Sequence, residues 1–129
     1  MKVLLAEDDP DQLELRALLL ARSGFETIPA RDTAAALRAA AARKPDCAVI
    51  DLRFPAKEHG LGLIRELKRL DAAMRIIVLT GASAGCLEKL PEKAMVDEVM
   101  VKGSCSSRLI EVIRAWQQAA DCARARNRS

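Results

Sequence analysis

Tyrosine is absent from the 129 residues, and aromatic rings other than that of histidine occur only at Phe25, Phe54 and Trp116. The core must therefore be aliphatic, drawn from Leu, Ile, Val and Ala. No aromatic and basic residues interleave as a stacking platform for single-stranded nucleic acid. Charge of one sign is lacking too: 21 Lys and Arg against 18 Asp and Glu leave a net charge of +3. That is too little to mark a nucleic-acid face, so direct nucleic-acid binding by this domain is not expected. No apolar run approaches the ~20 residues of a membrane span, and no membrane association is expected. Charged residues begin at Glu7, too early for the apolar stretch of a signal peptide. Histidine occurs once, as His59, and Cys47, Cys86, Cys105 and Cys122 include no C-x-x-C pair, which argues against zinc. These scattered cysteines read as reduced thiols in a cytoplasm.

What is present alternates. The length suits a single domain with one proper core. Lys2–Ala6 reads as a short buried strand. Residues 11–22 carry Leu13, Ala17 and Leu20, together with Leu15, Leu18, Leu19 and Arg22, at helical spacing. Asp9 before Pro10 is a helix cap followed by proline at the first helical position, and Ser23-Gly24 is the stop. Strands follow at 26–29, 47–50, 75–79 and 98–101. Helices follow at 33–43, 61–70, weakly at 83–95 around Pro91, and from Ser104 or Ser106 through Trp116. Residues 52–60 read as loop, and the tail ARARNRS as polar and frayed. Five apolar strands alternating with helices predict an α/β fold: a doubly wound, five-stranded parallel sheet of flavodoxin-like (βα)₅ type with strand order 2-1-3-4-5. The domain is expected over residues 1–120. Residues 121–129 form a basic tail or the start of a linker.

In such a sheet, ligands bind beyond the carboxyl ends of the strands, at the switch point. Glu7, Asp8 and Asp9 follow the first strand, Asp51 the third, Thr80 the fourth and Lys102 the fifth. Asp9 is assigned to the helix cap. The remaining carboxylates repel one another unless a cation offsets them, and hard oxygen ligands suit Mg²⁺, or Mn²⁺ in its place. Lys102 supplies a point charge for an anion and Thr80 a hydroxyl donor. Asp51 beside a metal and a cation suits an aspartyl nucleophile in phosphoryl transfer. His59 reads as a solvent-facing loop residue and Trp116 as packing on the last helix.

Four segments in this order, VLLAEDDP, VIDLRFP followed by HGLGLIREL, IIVLTGAS and VDEVMVKG, resemble the receiver domain of two-component response regulators of the chemotaxis-regulator type. The resemblance runs from Lys2 to about Ala119. It implies that Asp51 accepts a phosphoryl group from the phosphohistidine of a sensor histidine kinase or phosphotransfer protein. It implies that Asp8 holds Mg²⁺ directly and Glu7 through water, with Asp51 and the backbone carbonyl of Arg53 completing the protein ligands. Lys102 pairs with Asp51 before phosphorylation and with the phosphoryl group after it, and Thr80 hydrogen-bonds a phosphoryl oxygen. Phosphorylation alters a face around the fourth helix, fifth strand and fifth helix, where an output partner or domain binds. Such a protein catalyses only its own phosphotransfer and dephosphorylation. A homodimer through the last helices is left open.

Departures from the family pattern cluster on the reporting side. The aromatic usual three residues before the lysine is replaced by Val99, and the proline usual after it by Gly103. Arg53 and Ala82 flank the path of the hydrolytic water in the family. Two alternatives compete. One is a degenerate receiver that works as a phosphorylation-independent interaction scaffold, favoured by Val99 and Gly103. The other is a small metal-dependent phosphatase or nucleotide-binding enzyme, disfavoured by the missing Gly-rich phosphate loop and the lack of a general base besides His59.

Overall fold

Five strands, β1 (Lys2–Ala6), β2 (Glu26–Ala30), β3 (Cys47–Asp51), β4 (Arg75–Thr80) and β5 (Glu98–Val101), form one sheet in the order β2-β1-β3-β4-β5. All four pairings are parallel. The structure, a computed structural model, describes residues 1–51, 57–80, 94–101 and 106–127, without the side chains of 57–59, 101, 106 and 123–127. Arg53, Ala82, Pro91, Lys102, Gly103, most of the 83–95 helix and the side chain of His59 lie outside the described residues. The helices are α1 (Pro10–Arg22), α2 (Thr33–Arg43), α3 (Lys57–Leu70) and α4 (Ser106–Asn127).

Side chains of a strand alternate between faces, so each apolar strand feeds two cores. Leu4, Ala6, Ala48, Ile50, Ile76 and Val78 meet Ala36 and Ala40 of α2 and Leu63, Ile64 and Leu67 of α3. Val3, Leu5, Cys47, Val49, Ile77 and Leu79 meet Leu13 and Leu20 of α1 and Leu109 and Ile113 of α4. With helices on both faces, the inner strands read as unbroken apolar runs. Pro29 is tolerated because β2 is an edge strand.

The start and stop of α1 follow from local chemistry. Asp9 accepts backbone N–H groups from Asp11 at 2.9 Å and Gln12 at 3.4 Å, and Pro10 opens the helix. At the other end, Gly24 N–H donates to Ala21 O and Phe25 N–H to Leu20 O. This paired closure needs a left-handed residue, and Gly24 supplies it at φ 91. Of the leucines of α1, the core takes Leu13 and Leu20, and leaves Leu15 and Leu18 exposed.

Two helix boundaries differ from the sequence reading. α3 begins at Lys57 rather than Leu61, so residues 57–60 are helix and not loop. Gly60 and Gly62 weaken the local helix preference, and the apolar stripe of Leu63, Ile64 and Leu67 overrides it by burial. α4 continues to Asn127, where the sequence suggested a frayed tail; alanine and arginine are strong helix formers.

Cys47 is fully buried, as its apolar surroundings predict. Burial, and secondarily the charge of Asp46, pushes its thiol up to about 12. Only the thiolate reacts, so Cys47 is inert in the folded protein. With iodoacetamide at about pH 8, peptide mapping is expected to find exposed Cys122 modified and Cys47 untouched until the chain unfolds. Because the folded thiol titrates above the unfolded one, its contribution to stability is complete below about pH 9 and is lost as pH rises towards 12.

Candidate functional site

The register of the sheet builds the site. Ala6 pairs with Ile50, so Glu7 and Asp51 are the next residues on neighbouring strands. Asp51 pairs with Leu79, which puts Thr80 one step further on β4. Thr80 in turn pairs with Val101, and Lys102 follows beyond the described residues. Glu7, Asp8 and Asp51 each bring one carboxylate oxygen within 4.8 Å of the others. Glu7, Asp51 and Thr80 are buried and Asp8 is exposed. Three clustered carboxylates of this kind are a hard-oxygen donor set suited to Mg²⁺, which takes one or two carboxylates and keeps its remaining waters. Asp9 is not among the three; its side chain caps α1.

Sequence reasoning missed one participant. Arg16 is buried, and its Nη1 lies 2.7 Å from Oε2 of Glu7. The Asp9 backbone N–H donates to the other oxygen, Oε1, at 3.2 Å. The position of Arg16 is legible afterwards. Val3, Leu5 and Glu7 alternate onto the face covered by α1, and Arg16 falls between Leu13 and Leu20 on its inner side. Helical side chains lean towards the helix N-terminus, which here adjoins the acidic cluster. The signal was a charged residue within the core stripe, opposite a strand ending in acids.

Val99, where the resemblance leads one to expect an aromatic, is half-buried against the α2/α3-side core. At the amino end of β4, Arg75 stacks on Trp116, 5.3 Å from the ring centroid. That contact accounts for Trp116 as packing.

A sequence profile of the response regulator receiver domain matches residues 3–114. The chain belongs to this family. Receiver domains of this family serve as signalling components of two-component systems. The transcriptional regulatory protein PrrA of Mycobacterium tuberculosis is 31% identical over 114 residues, covering 88% of this chain and 48% of PrrA. The alkaline phosphatase synthesis transcriptional regulatory protein PhoP of Bacillus subtilis is 30% identical over 101 residues, covering 78% of this chain and 42% of PhoP. The chain thus spans about half the length of the curated relatives it matches. A receiver domain from Clostridium thermocellum superposes with a TM-score of 0.83 at 24% identity, covering 95% of this chain and 98% of the other. The response regulator TrrA of Thermotoga maritima, solved in complex with Mg²⁺-BeF, superposes at 0.78 with 24% identity, covering 88% and 96%. These likenesses establish the receiver fold. Among the described residues of this receiver domain, no helix is long and apolar enough to cross a membrane.

Proposed function

We propose that this receiver domain is a phosphorylation-dependent switch, with Asp51 as phosphoacceptor and Glu7, Asp8, Asp51 and the Arg53 backbone carbonyl as the Mg²⁺ site. The observation that carries this reading is the convergence of three carboxylates from two strand ends. When bound, Mg²⁺ neutralises charge on the transferred phosphoryl group. The Mg²⁺-BeF complex of TrrA supports the same assignment by likeness of fold.

A carboxylate oxygen of Asp51 attacks phosphorus in line with the leaving imidazole nitrogen of a histidine kinase or phosphotransfer protein. The P–O bond forms as the P–N bond breaks, and the imidazole keeps the electron pair. Thr80 donates its hydroxyl to a phosphoryl oxygen, and Lys102 pairs with the new charge. The change in charge biases two conformations of the domain and so alters the face that an output partner or domain reads. The domain acts on itself rather than turning over a diffusible substrate, and works in the cytoplasm, over residues 1–120. Val99, packed where an aromatic is usual, favours an output relay that does not depend on a rotating ring.

The test is incubation with acetyl phosphate and Mg²⁺, read by intact mass. One phosphoryl adduct that disappears when Mg²⁺ is chelated is the expected result. No adduct, together with no measurable Mg²⁺ binding, would replace this reading with the phosphorylation-independent scaffold.

A further inference from the structure

Arg16 is bound into the acidic cluster, and its side chain is 10% exposed against 2% for that of Glu7. A buried arginine at a core position is costly, since both charges of a pair must leave water. Leu13 and Leu20 show what the same face of α1 otherwise takes. The cost is offset where the strand beneath ends in Glu7, beside Asp8 and Asp51.

The consequence concerns the metal, and it rests on the reading of these carboxylates as a divalent-cation site. We propose that Arg16 is a resident counter-cation: it withholds Glu7 from direct metal coordination and weakens the pull of the acidic cluster on a divalent cation. Both oxygens of Glu7 already accept hydrogen bonds, from Arg16 Nη1 and from Asp9 N–H. Direct coordination would bring a metal ion onto a carboxylate already held by the Arg16 guanidinium at 2.7 Å, so two cations would crowd one group. Mg²⁺ gives up its waters reluctantly, so Glu7 meets the ion through water and Arg16 enforces that arrangement. Arg16 is thus a positioning residue acting through Glu7.

The experiment measures Mg²⁺ and Mn²⁺ affinity by calorimetry, and the number of waters on bound Mn²⁺ by spin-echo spectroscopy, for the wild type, Arg16→Gln and Arg16→Lys. With the positive charge gone, Arg16→Gln is expected to bind both ions on the order of tenfold tighter. Its bound Mn²⁺ carries one fewer water, because Glu7 enters the coordination sphere. Arg16→Lys restores the charge and returns most of the wild-type affinity. A purely structural pair would shift the melting temperature and leave the water count alone. Equal or weaker binding by Arg16→Gln, with an unchanged water count, overturns the proposal while leaving the metal site intact. A wild type that binds neither ion overturns the metal-site reading itself, and the proposal with it. Should Arg16→Gln fail to fold, glutamate labelled with ¹³C at the side-chain carboxyl in the wild type decides. Direct hyperfine coupling from Glu7 to bound Mn²⁺ refutes the proposal, and its absence supports it.

Discussion

Asp51→Asn is expected to take up no phosphoryl group from acetyl phosphate under conditions where the wild type forms one adduct. The substitution changes almost nothing but charge and nucleophilicity. Asp51 is 5% exposed at the carboxyl end of β3, and asparagine fills the same volume. An amide oxygen is a poor nucleophile towards phosphorus, and covalent transfer needs the carboxylate. The loss is therefore complete on the scale of the assay, not a graded decline. Stability moves the other way. Removing one of three clustered negative charges relieves repulsion, so in the absence of Mg²⁺ the urea midpoint is expected to hold or rise, by the equivalent of about 1 kcal/mol. Loss of the adduct together with a lowered midpoint would point instead to a damaged fold. A variant that still accepts phosphate would move the acceptor to another residue.

Leu67→Ala is expected to cost about 3 kcal/mol, measured by urea denaturation, within the range of 2–5 kcal/mol typical of buried leucine truncations. Leu67 is fully buried on α3. Its cluster contains Ala36 and Ala40 of α2, side chains too short to swing into a vacated space. The cavity therefore stays open, and the cost falls in the upper part of what loss of apolar area alone would give. Against a total stability of about 5–15 kcal/mol for a domain of this kind, that is a large fraction. A loss under about 1 kcal/mol would mean that α3 relaxes onto the sheet to close the gap.

The parts of the molecule legible in the sequence are those set by short-range pattern. Apolar runs ending in Ala6, Asp51, Thr80 and Val101 mark strands buried on both faces, and the crossover rules then leave few strand orders. The cap at Asp9 and the stop at Gly24 are local hydrogen-bond chemistry, and they stand where the residues say. Glu7, Asp8 and Asp51 are brought together by the register of β1 and β3, which follows from that order. Arg16 was illegible for the opposite reason. Arginine is mostly found exposed, and only the packing of α1 against β1 reveals the anion that holds it. The choice between Leu13 with Leu20 and Leu15 with Leu18 is of the same kind, since both sets have helical spacing and the sheet selects one. At Lys57–Gly60, glycine propensity argued for loop, and tertiary burial of the turns that follow outweighed it.

The length of α4 has a geometric consequence. Its 22 residues make a rod of roughly 33 Å. The rod starts shortly after β5, at the end of the sheet that carries the carboxylates. It runs back over the sheet, and Gln117, Ala120 and Asp121 reach Met1 and Asp46 at the opposite end. Leu109 and Ile113 seat it along its first half, and Trp116, gripped by Arg75, is its last residue packed against the core. The span beyond it to Asn127 adds about 16 Å at 1.5 Å per residue, and Gln117, Ala120 and Asp121 lie along it beside the amino ends of β1 and β3. One helix therefore borders both ends of the sheet, the carboxyl ends that carry the acidic cluster and the amino ends where Met1 and Asp46 stand.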